Sequence, residues 1–553
     1  LDGWLAVLGR ARRVVTLGIA GEQRYAAAED SGKLCAALGL APPPGLPPVF
    51  LEPGPRPLVD VLARYARTHG PFDAAAPARR FGLEVPVVER ALGELVREGR
   101  VLEGAFLAGG RGREYCEREA LSAIKHKSLA LLRAQVEPVP PASLALLYAD
   151  WQGIGRRRAG TDALLAVVEQ LEGASLPASS LESDVLPARM QGYEPGLLDD
   201  LMLGGELVWI GVEPIGDSDG RIALYRSDRF DLLAPPPRQA EGELCRVLRE
   251  ALAQRGASFF AELARKCGAF PPDVLRALWD MVWAGEVKND TLLPLRARLG
   301  ARERDRKSRG RTPRPRGLPG SEGRWSLVAP SSESATSRRL AQVRTLLDRF
   351  GVVTREAVQT DGLALSFADA YPVLKALEES GKVRRGYFVE GLGGAQFAEP
   401  GADDRLRLLR RQTESGALLL SAIDPANPYG AGLPWPPGGR CQRTPGAYVV
   451  LFRGELVAYL GKTEQTLVTF LPAEEPEREQ AAQAIASTLA SAVDGVRRRA
   501  LLLGEIDGAE ATASVLAPAL ASVGFSASSR GLLLRKASVR SRNSAEQNED
   551  DEM

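Results

Sequence analysis

The residues of this sequence best suited to chemistry are a cluster of cations. Between positions 296 and 316 there are ten Arg or Lys residues and two acidic ones, a local charge of +8. Such side chains neutralise phosphates and release counterions, which predicts salt-dependent nucleic-acid binding; a solvated linker without a ligand is the alternative. The candidate nucleic-acid-binding residues are Arg296, Arg298, Arg302, Arg304, Arg306, Lys307, Arg309, Arg311, Arg314 and Arg316.

Two short motifs point towards nucleotide hydrolysis but lack the residues that this chemistry needs. Gly461-Lys462-Thr463 resembles the end of a phosphate-binding loop, yet Leu456 stands where that loop requires Gly, and strands are predicted on both sides. Ser334-Ala335-Thr336 matches a helicase tripeptide in a Ser-rich stretch, without a nucleotide loop or an acidic metal-binding box. We therefore expect no ATP hydrolysis by this chain, and no catalytic residue is assigned.

Histidines and cysteines offer no metal site. The chain has only two histidines, and its five cysteines form no C-x-x-C pair, which suits a reduced compartment. No export signal and no uninterrupted apolar stretch of about 18–20 residues occurs. We expect a cytoplasmic protein with no cofactor of its own, no metal and no membrane contact.

Two further features allow a functional or a structural interpretation. The polar, proline-rich peptide from Asp424 to Gly430 is either a functional loop or a loop that pins the C-terminal domain. Trp209, Trp279 and Trp283 could stack on bases. Their helix-to-strand periodicity favours a place in the core.

The elements that would position these residues follow a repeat. An apolar pair spaced i,i+3 is followed by Gly four residues later and by an apolar residue two residues after the Gly, which predicts a helix that stops at a left-handed glycine and leads into a β-strand. The pattern occurs four times, 80 to 106 residues apart. Its instances are Leu92, Leu95, Gly99, Val101; Leu198, Leu201, Gly205, Leu207; Leu278, Met281, Gly285, Val287; and Leu374, Leu377, Gly381, Val383.

A second amphipathic helix precedes each instance, and the combination of helices and a hairpin predicts a winged helix. The fold class is therefore α+β, a tandem array of at least four winged-helix modules followed by a strand-rich C-terminal α/β or barrel-like domain. The predicted segments are the end of a preceding domain at 1–40, winged helices at 57–110, 161–232, 240–295 and 323–400, a helical connector at 111–160, a basic linker at 296–322, the C-terminal domain at 402–536 and a disordered acidic tail at 537–553.

Several of these peptides together resemble one protein family. They are 278–291, Gly323-Arg324-Trp325-Ser326-Leu327, 384–392 and 424–430. In order along the chain, they resemble the C-terminal half of the bacterial large helicase-related, or Lhr, proteins. The resemblance implies an N-terminal ATPase core in the same polypeptide, with ATP and Mg²⁺ used only there, and a winged-helix region that assembles into a homo-oligomer, a tetramer. Because the first residue is Leu and an apolar-periodic segment begins at once, we expect the chain to be a piece of a longer protein or a mis-started reading. Since the ATPase motifs are absent, helicase action is expected only of a longer parent protein.

Three functions remain open. The leading one is the nucleic-acid-binding and oligomerisation region of an Lhr-type ATP-dependent helicase in DNA repair, with DNA or an RNA:DNA hybrid as partner. The second is a winged-helix DNA glycosylase that excises a damaged base such as uracil with a carboxylate-activated water. The third is a transcription regulator, which four tandem modules without a ligand domain disfavour. The third helix of the first module, with two Arg against three Glu between Val87 and Gly99, favours packing over groove reading.

Overall fold

The computed structural model describes residues 2–107, 112–134, 137–156, 158–307, 318–410, 416–494 and 499–536. The chain divides into two compact units, 1–135 and 136–553. Among the described helices, none is both long and apolar enough to cross a membrane.

The first unit begins with a helix and a hairpin and continues with a complete winged helix. In the hairpin, the two strands pair antiparallel from Val14 with Ala27 to Ile19 with Glu22. The elements are α1 Asp2–Arg10, β1 Val14–Ile19, β2 Glu22–Ala27, α2 Ser31–Leu38, α3 Pro57–Thr68, β3 Phe72–Asp73, α4 Ala75–Phe81, α5 Val85–Arg97, β4 Val101–Gly104, β5 Glu114–Glu117 and α6 Arg118–Ala134.

The second unit holds three winged helices. After α7 Pro141–Trp151, the second module comprises α8 Thr161–Leu171, β6 Leu176–Pro177, α9 Ala178–Ser180, α10 Leu186–Arg189, α11 Pro195–Leu203, β7 Leu207–Ile215, β8 Asp219–Arg226 and α12 Phe230–Leu233. The third comprises α13 Glu243–Arg255, β9 Ser258–Phe259, α14 Phe260–Cys267, α15 Pro271–Trp283, β10 Val287–Asn289, α16 Leu293–Lys307 and β11 Arg324–Leu327. The fourth comprises α17 Ala335–Phe350, β12 Val352–Val353, α18 Arg355–Thr360, α19 Phe367–Glu379, β13 Arg384–Gly386 and β14 Gln396–Ala398, followed by α20 Ala402–Arg410.

All four modules share one sheet topology. In each, the strand before the second helix pairs with the last strand of the hairpin, which lies in the middle: the orders are β3-β5-β4, β6-β8-β7, β10-β11-β9 and β12-β14-β13. In the second module the hairpin strands place Leu207 opposite Arg226 and Gly211 opposite Ile222. The α+β winged-helix array is thereby confirmed.

The repeat seen in the sequence corresponds to one recurring helix end. Gly99, Gly205, Gly285 and Gly381 have φ of 67°, 77°, 71° and 73°. After each glycine the next N–H donates to the carbonyl five residues back, at 3.0, 2.9, 2.9 and 2.8 Å, the bond of a Schellman motif. The twelve apolar residues of the repeat are all buried. The glycine thus ends the third helix and directs the chain back into the same core.

The third module differs from its predicted boundaries. Residues 293–307 are not linker but the helix α16, and its last strand, β11, lies after that helix rather than opening the fourth module. β11 places Trp325 opposite both Asn289 and Ser258. Since the Trp325 side chain is fully buried, its burial explains why the chain returns to complete this sheet. Residues 308–317 of the predicted linker and the predicted tail at 537–553 lie outside the described residues.

The predicted connector at 111–160 also has a different role. Its start forms β5, the middle strand of the first module's sheet, so that this wing extends beyond residue 110. Its end, α7, belongs to the second unit. There the Tyr148 hydroxyl donates to the Val352 carbonyl at 3.2 Å, and the Val139 N–H donates to the Phe388 carbonyl at 2.8 Å. Both contacts join this segment to the fourth winged helix.

From residue 416 to residue 536, the described part of the C-terminal domain has two sheets and two α-helices. A six-stranded sheet has the order β15-β16-β17-β18-β20-β21, and a three-stranded sheet has the order β19-β23-β22. Residues 509–513 form a short strand and a 3₁₀ turn ahead of the second helix. The elements are β15 Leu418–Ser421, β16 Tyr448–Phe452, β17 Glu455–Leu460, β18 Thr466–Thr469, α21 Glu477–Asp494, β19 Ala500–Leu503, β20 Glu505–Ile506, β21 Ala509–Glu510, α22 Ala517–Ser522, β22 Ser526–Ser528 and β23 Gly531–Arg535.

The hydrophobic cores of the second unit cross module boundaries. One cluster contains the apolar residues of both the second and third modules. Another combines α7, the fourth module and the first part of the C-terminal domain. Trp209, Trp279 and Trp283 are 0%, 2% and 6% exposed, which confirms their place in the core. Trp283 packs on the wing of the second module, where a Cβ on Gly220 would lie 2.3 Å from its ring.

Candidate functional site

The basic residues singled out in the sequence fall into three groups. Arg296 is tied to two carboxylates, with hydrogen bonds to Glu182 at 2.8 and 2.9 Å and to Asp199 at 2.7 and 2.9 Å. Arg298 donates to the Asp217 carbonyl at 2.6 Å, and its guanidinium lies 5.0 Å from the ring centroid of Trp279. These two cations hold α16 against the second module and against α15. In this structure both side chains make packing contacts, and their assignment as nucleic-acid contacts remains a prediction.

The other eight basic residues remain a prediction. Arg302, Arg304, Arg306 and Lys307 lie in the last part of α16. Arg309, Arg311, Arg314 and Arg316 lie outside the described residues.

The loop from Asp424 to Gly430 is held by a buried ion pair. The Arg189 guanidinium donates to both carboxylate oxygens of Asp424, at 2.8 and 2.9 Å, and to Gln152 Oε1 at 2.6 Å. The side chains of Arg189 and Asp424 are 0% and 1% exposed. A buried carboxylate requires such a partner, because its desolvation is otherwise uncompensated. The pair joins the second winged helix to the C-terminal domain.

Backbone contacts of one arginine complete the loop. Arg443 donates to the carbonyls of Asn427, Tyr429 and Asp424 at 2.7, 3.1 and 3.1 Å. The Tyr429 hydroxyl donates to the Gly454 carbonyl at 2.9 Å, and burial raises the pKa of this hydroxyl to about 12. Burial lowers the pKa of Arg443 to about 10, so that the guanidinium stays charged at neutral pH. These contacts favour the structural interpretation of the loop.

The same loop forms one wall of a cavity. The cavity measures about 240 Å³ and lies where the second winged helix, the fourth winged helix and the C-terminal domain meet. Its polar wall includes Ser175, Arg221, Thr360, Asp361 and Arg443. A concave site with a few convergent polar groups is the ordinary form of a small-ligand site.

Asp361 is the carboxylate of this cavity. Its Oδ1 accepts a hydrogen bond from Arg349, and the two side chains are 1% and 0% exposed. Arg349 also donates to the carbonyls of Gln170 and Glu172 in the second winged helix. Among the described residues, none donates a hydrogen bond to Asp361 Oδ2, which is also buried. Asp361 therefore lines the cavity and has one buried carboxylate oxygen without a described hydrogen-bond donor.

The neighbouring glycine explains how close the two modules come. Gly362 has φ of 93°, and a Cβ at this position would lie 2.7 Å from the Ser175 Cβ. Only glycine tolerates both this conformation and this distance. Sequence reasoning missed Asp361 because no motif surrounds it; the Asp-Gly dipeptide before an apolar stretch is the one signal, and it ordinarily indicates a turn.

A second buried carboxylate supports this junction. Glu172 is fully buried, its Oε2 lies 2.9 Å from an Arg229 nitrogen, and its Oε1 accepts from the Arg226 N–H at 2.8 Å. Desolvation raises the pKa of Glu172 to about 7 despite these partners. Glu172 therefore changes charge near neutral pH. The backbone carbonyl of the same residue accepts a hydrogen bond from Arg349, so the charge changes at the contact between the second and fourth winged helices.

Comparisons with known proteins agree with this architecture. Residues 1–53, 139–227 and 332–418 each match a model described as large helicase-related protein, winged-helix domain. These three segments are therefore similar to winged-helix domains of this type. The match at 139–227 also includes α7, which the sequence patterns predict to be connector.

Two relatives match along almost the whole chain. The Lhr helicase/probable uracil glycosylase of Mycolicibacterium smegmatis (strain ATCC 700084 / mc(2)155) is 37% identical over 569 residues, 97% of this chain. The Lhr helicase/uracil glycosylase of Escherichia coli (strain K12) is 31% identical over 580 residues, 96% of this chain. The chain spans 37% of the length of each of these relatives. Together with the domain matches, these similarities support the Lhr family.

A solved structure shows a partial likeness. Streptomyces sahachiroi DNA glycosylase AlkZ superposes with a TM-score of 0.40 and 13% sequence identity, over 67% of this chain and all of that chain.

Proposed function

We propose that this chain is the nucleic-acid-binding and oligomerisation region of an Lhr-type ATP-dependent helicase that acts on DNA, or on an RNA:DNA hybrid, in DNA repair. The observation that carries the proposal is the array of four winged helices, aligned over nearly its full length with relatives named Lhr helicase. Because the chain spans about a third of those relatives, we place the ATPase core in the remainder of the same polypeptide.

The packing of the third module favours a role in protein–protein contacts over a role in groove binding. Seven of the thirteen residues of α15, the third helix of the third module, are buried. Because Trp283 packs on a neighbouring wing, this helix is not free to enter a groove. The proposal therefore assigns nucleic-acid contact chiefly to the basic segment beyond Arg298.

Salt dependence tests the nucleic-acid part of the proposal. A variant with Gln at positions 302, 304, 306, 307, 309, 311, 314 and 316 should bind single-stranded DNA more weakly and with a smaller salt slope, by about 0.7 for each phosphate that is no longer neutralised. The matched control is Arg298→Gln, which removes a cation of the same segment that packs on Trp279, and it should leave the slope unchanged. An unchanged slope in the eightfold variant contradicts this assignment.

Light scattering of the chain tests assembly. We expect a homo-oligomer, with a tetramer as the expected size, and no ATPase activity. A monodisperse monomer across the micromolar range would refute the assembly role.

A second candidate function, excision of uracil from DNA, is favoured by one observation: Asp361 Oδ2 is buried beside a cavity without a described partner. A base flipped out of the helix would enter the cavity, and Asp361 would accept a proton from the water that attacks the sugar C1′. The positive charges of Arg221 and Arg443 in the wall would stabilise the departing base anion.

Formation of abasic sites from a uracil-containing oligonucleotide tests this candidate. Asp361→Asn should abolish it, whereas Asp369→Asn, at a half-exposed carboxylate of the same module outside the cavity, should not. Because Asp361→Asn leaves Arg349 buried without its charge partner, a second variant is needed that keeps the ion pair. Ala431→Phe fills the cavity from the C-terminal side and should also abolish excision. Excision that survives both changes would rule out this site.

A further inference from the structure

A second cleft, larger than the cavity, lies between the second and third winged helices. It measures about 580 Å³. Its walls are the start of β7, the 3₁₀ turn at 227–229 with the start of α12, and the two wing strands β10 and β11. The cleft thus lies on the hairpin side of the third module, away from Asp361.

Lys288 is the amine of this cleft. It stands in the middle of β10, opposite Ser326 of β11. Its Nζ lies 5.1 Å from the ring centroid of the buried Phe230. Within the described part of the chain, Nζ makes no hydrogen bond or ion pair. Burial lowers the pKa of Lys288, and Asp231 opposes the shift. A desolvated lysine is the usual form of an amine nucleophile, because the neutral form attacks carbonyl carbon.

The charged groups around Lys288 are partly neutralised by their neighbours. Asp290 pairs with Arg324 at 2.7 Å, and Asp228 pairs with Arg226 at 3.0 Å. Asp231 and Glu333 complete the acidic lining. Asp231 is the carboxylate whose charge partly opposes the lowering of the Lys288 pKa. Such a carboxylate can accept a proton from a substrate in the cleft.

We propose that Lys288 is the nucleophile of an abasic-site lyase. The Nζ lone pair attacks C1′ of the ring-opened deoxyribose, and loss of water leaves a protonated Schiff base. Asp231 takes a proton from C2′, the C3′–O bond breaks, and the 3′ phosphate departs with the downstream strand. Water then hydrolyses the Schiff base, releasing the unsaturated aldehyde and restoring the amine. No oxidant or reductant is required. The inference rests on the second candidate function, uracil excision, only because that reaction would supply the abasic site.

Borohydride trapping on a preformed abasic oligonucleotide tests the proposal with the full chain. Reduction of the Schiff base should leave a covalent protein–DNA adduct, and peptide mapping should place it on residue 288. Lys288→Gln and Lys288→Arg should both lose the adduct, because neither side chain forms a Schiff base. Lys266→Gln, an exposed lysine on α14 of the same module, is the matched control and should keep it.

Two further readouts separate the chemistry from folding and from excision. The initial trapping rate should rise with pH to a plateau reached below the pKa range of an exposed lysine, which a structural role of Lys288 would not produce. Trapping should persist in Asp361→Asn, because the abasic site is supplied ready made. An adduct that forms equally in Lys288→Gln, or that maps to another lysine, overturns the proposal.

Discussion

Replacing Arg189 by Met tests how the second winged helix is joined to the C-terminal domain. The substitution keeps an apolar side chain of similar length and removes four hydrogen bonds, two to Asp424 and one each to Gln152 and the Val185 carbonyl. The Asp424 carboxylate remains buried without its cation. The Ala426 N–H, at 2.8 Å, is its remaining donor among the described residues.

The magnitude follows from the burial of the pair. Removing one partner of a fully buried ion pair costs about 3–5 kcal/mol, because the other charge stays desolvated. Asp424→Asn alone leaves Arg189 in the same position and should cost a comparable amount. The double variant buries neither charge. Its loss of stability should therefore be smaller than the sum of the two single-variant losses by at least ~1–2 kcal/mol.

Hydrogen exchange is the suitable assay, because a chain of several domains does not unfold in one step. The opening free energy of amides in 418–433 should drop in each single variant and recover in part in the double variant. The control is Arg276→Met, whose ion pair with Asp273 is solvent-exposed and should contribute little. Single variants that lose under about 1 kcal/mol, or costs that simply add, would refute a coupled buried pair.

Three other perturbations should have the following results. Glu172→Gln should gain stability relative to the wild-type chain as the pH rises from 5 to 8. The reason is that ionisation of the buried wild-type carboxyl lowers the free energy of unfolding by ~3 kcal/mol between its ordinary pKa of 4.5 and its raised pKa of about 7, since each pKa unit corresponds to about 1.4 kcal/mol. A difference in unfolding midpoint that stays constant with pH would contradict this. Gly205→Ala should cost about 1 kcal/mol because its φ is 77° with nothing within 4 Å, whereas Gly196→Ala, in helix α11 of the same module, should stabilise; equal effects in thermal unfolding would exclude backbone strain as the cause. Gly220→Ala should cost about 1–3 kcal/mol by forcing Trp283 from its place on the wing, visible as changed tryptophan fluorescence, and an unchanged spectrum and midpoint would show that the ring has room.

The local part of this fold could be predicted from the sequence. The i,i+3 apolar pair, the glycine and the next apolar residue lie within ten positions of one another, and all three act on the same turn of backbone. The structure confirms each instance as a third helix ended by a left-handed glycine. The hairpin of the second module is equally local, since its two strands and their turn are adjacent in the chain.

The boundaries of the third module required the tertiary structure. β10 and β11 are separated by α16 and by residues 308–317, so the hairpin is interrupted where local patterns expect it to close. Trp325 fixes the position of β11, because its side chain fills a core whose other residues lie some forty positions earlier in the chain. The prediction for the basic cluster rests on composition, and composition cannot show that Arg296 faces two carboxylates and Arg298 faces Trp279.

The sequence by itself therefore determined the type of module and the number of its clear repeats, because short-range periodicity dictates helices, turns and strands. The tertiary structure decided which modules share a core and where a site can exist. Arg189 and Asp424 are 235 residues apart, and the cavity beside Asp361 draws its wall from segments between 148 and 443. Burial of charge depends on what packs across from it, and that partner is chosen by the fold.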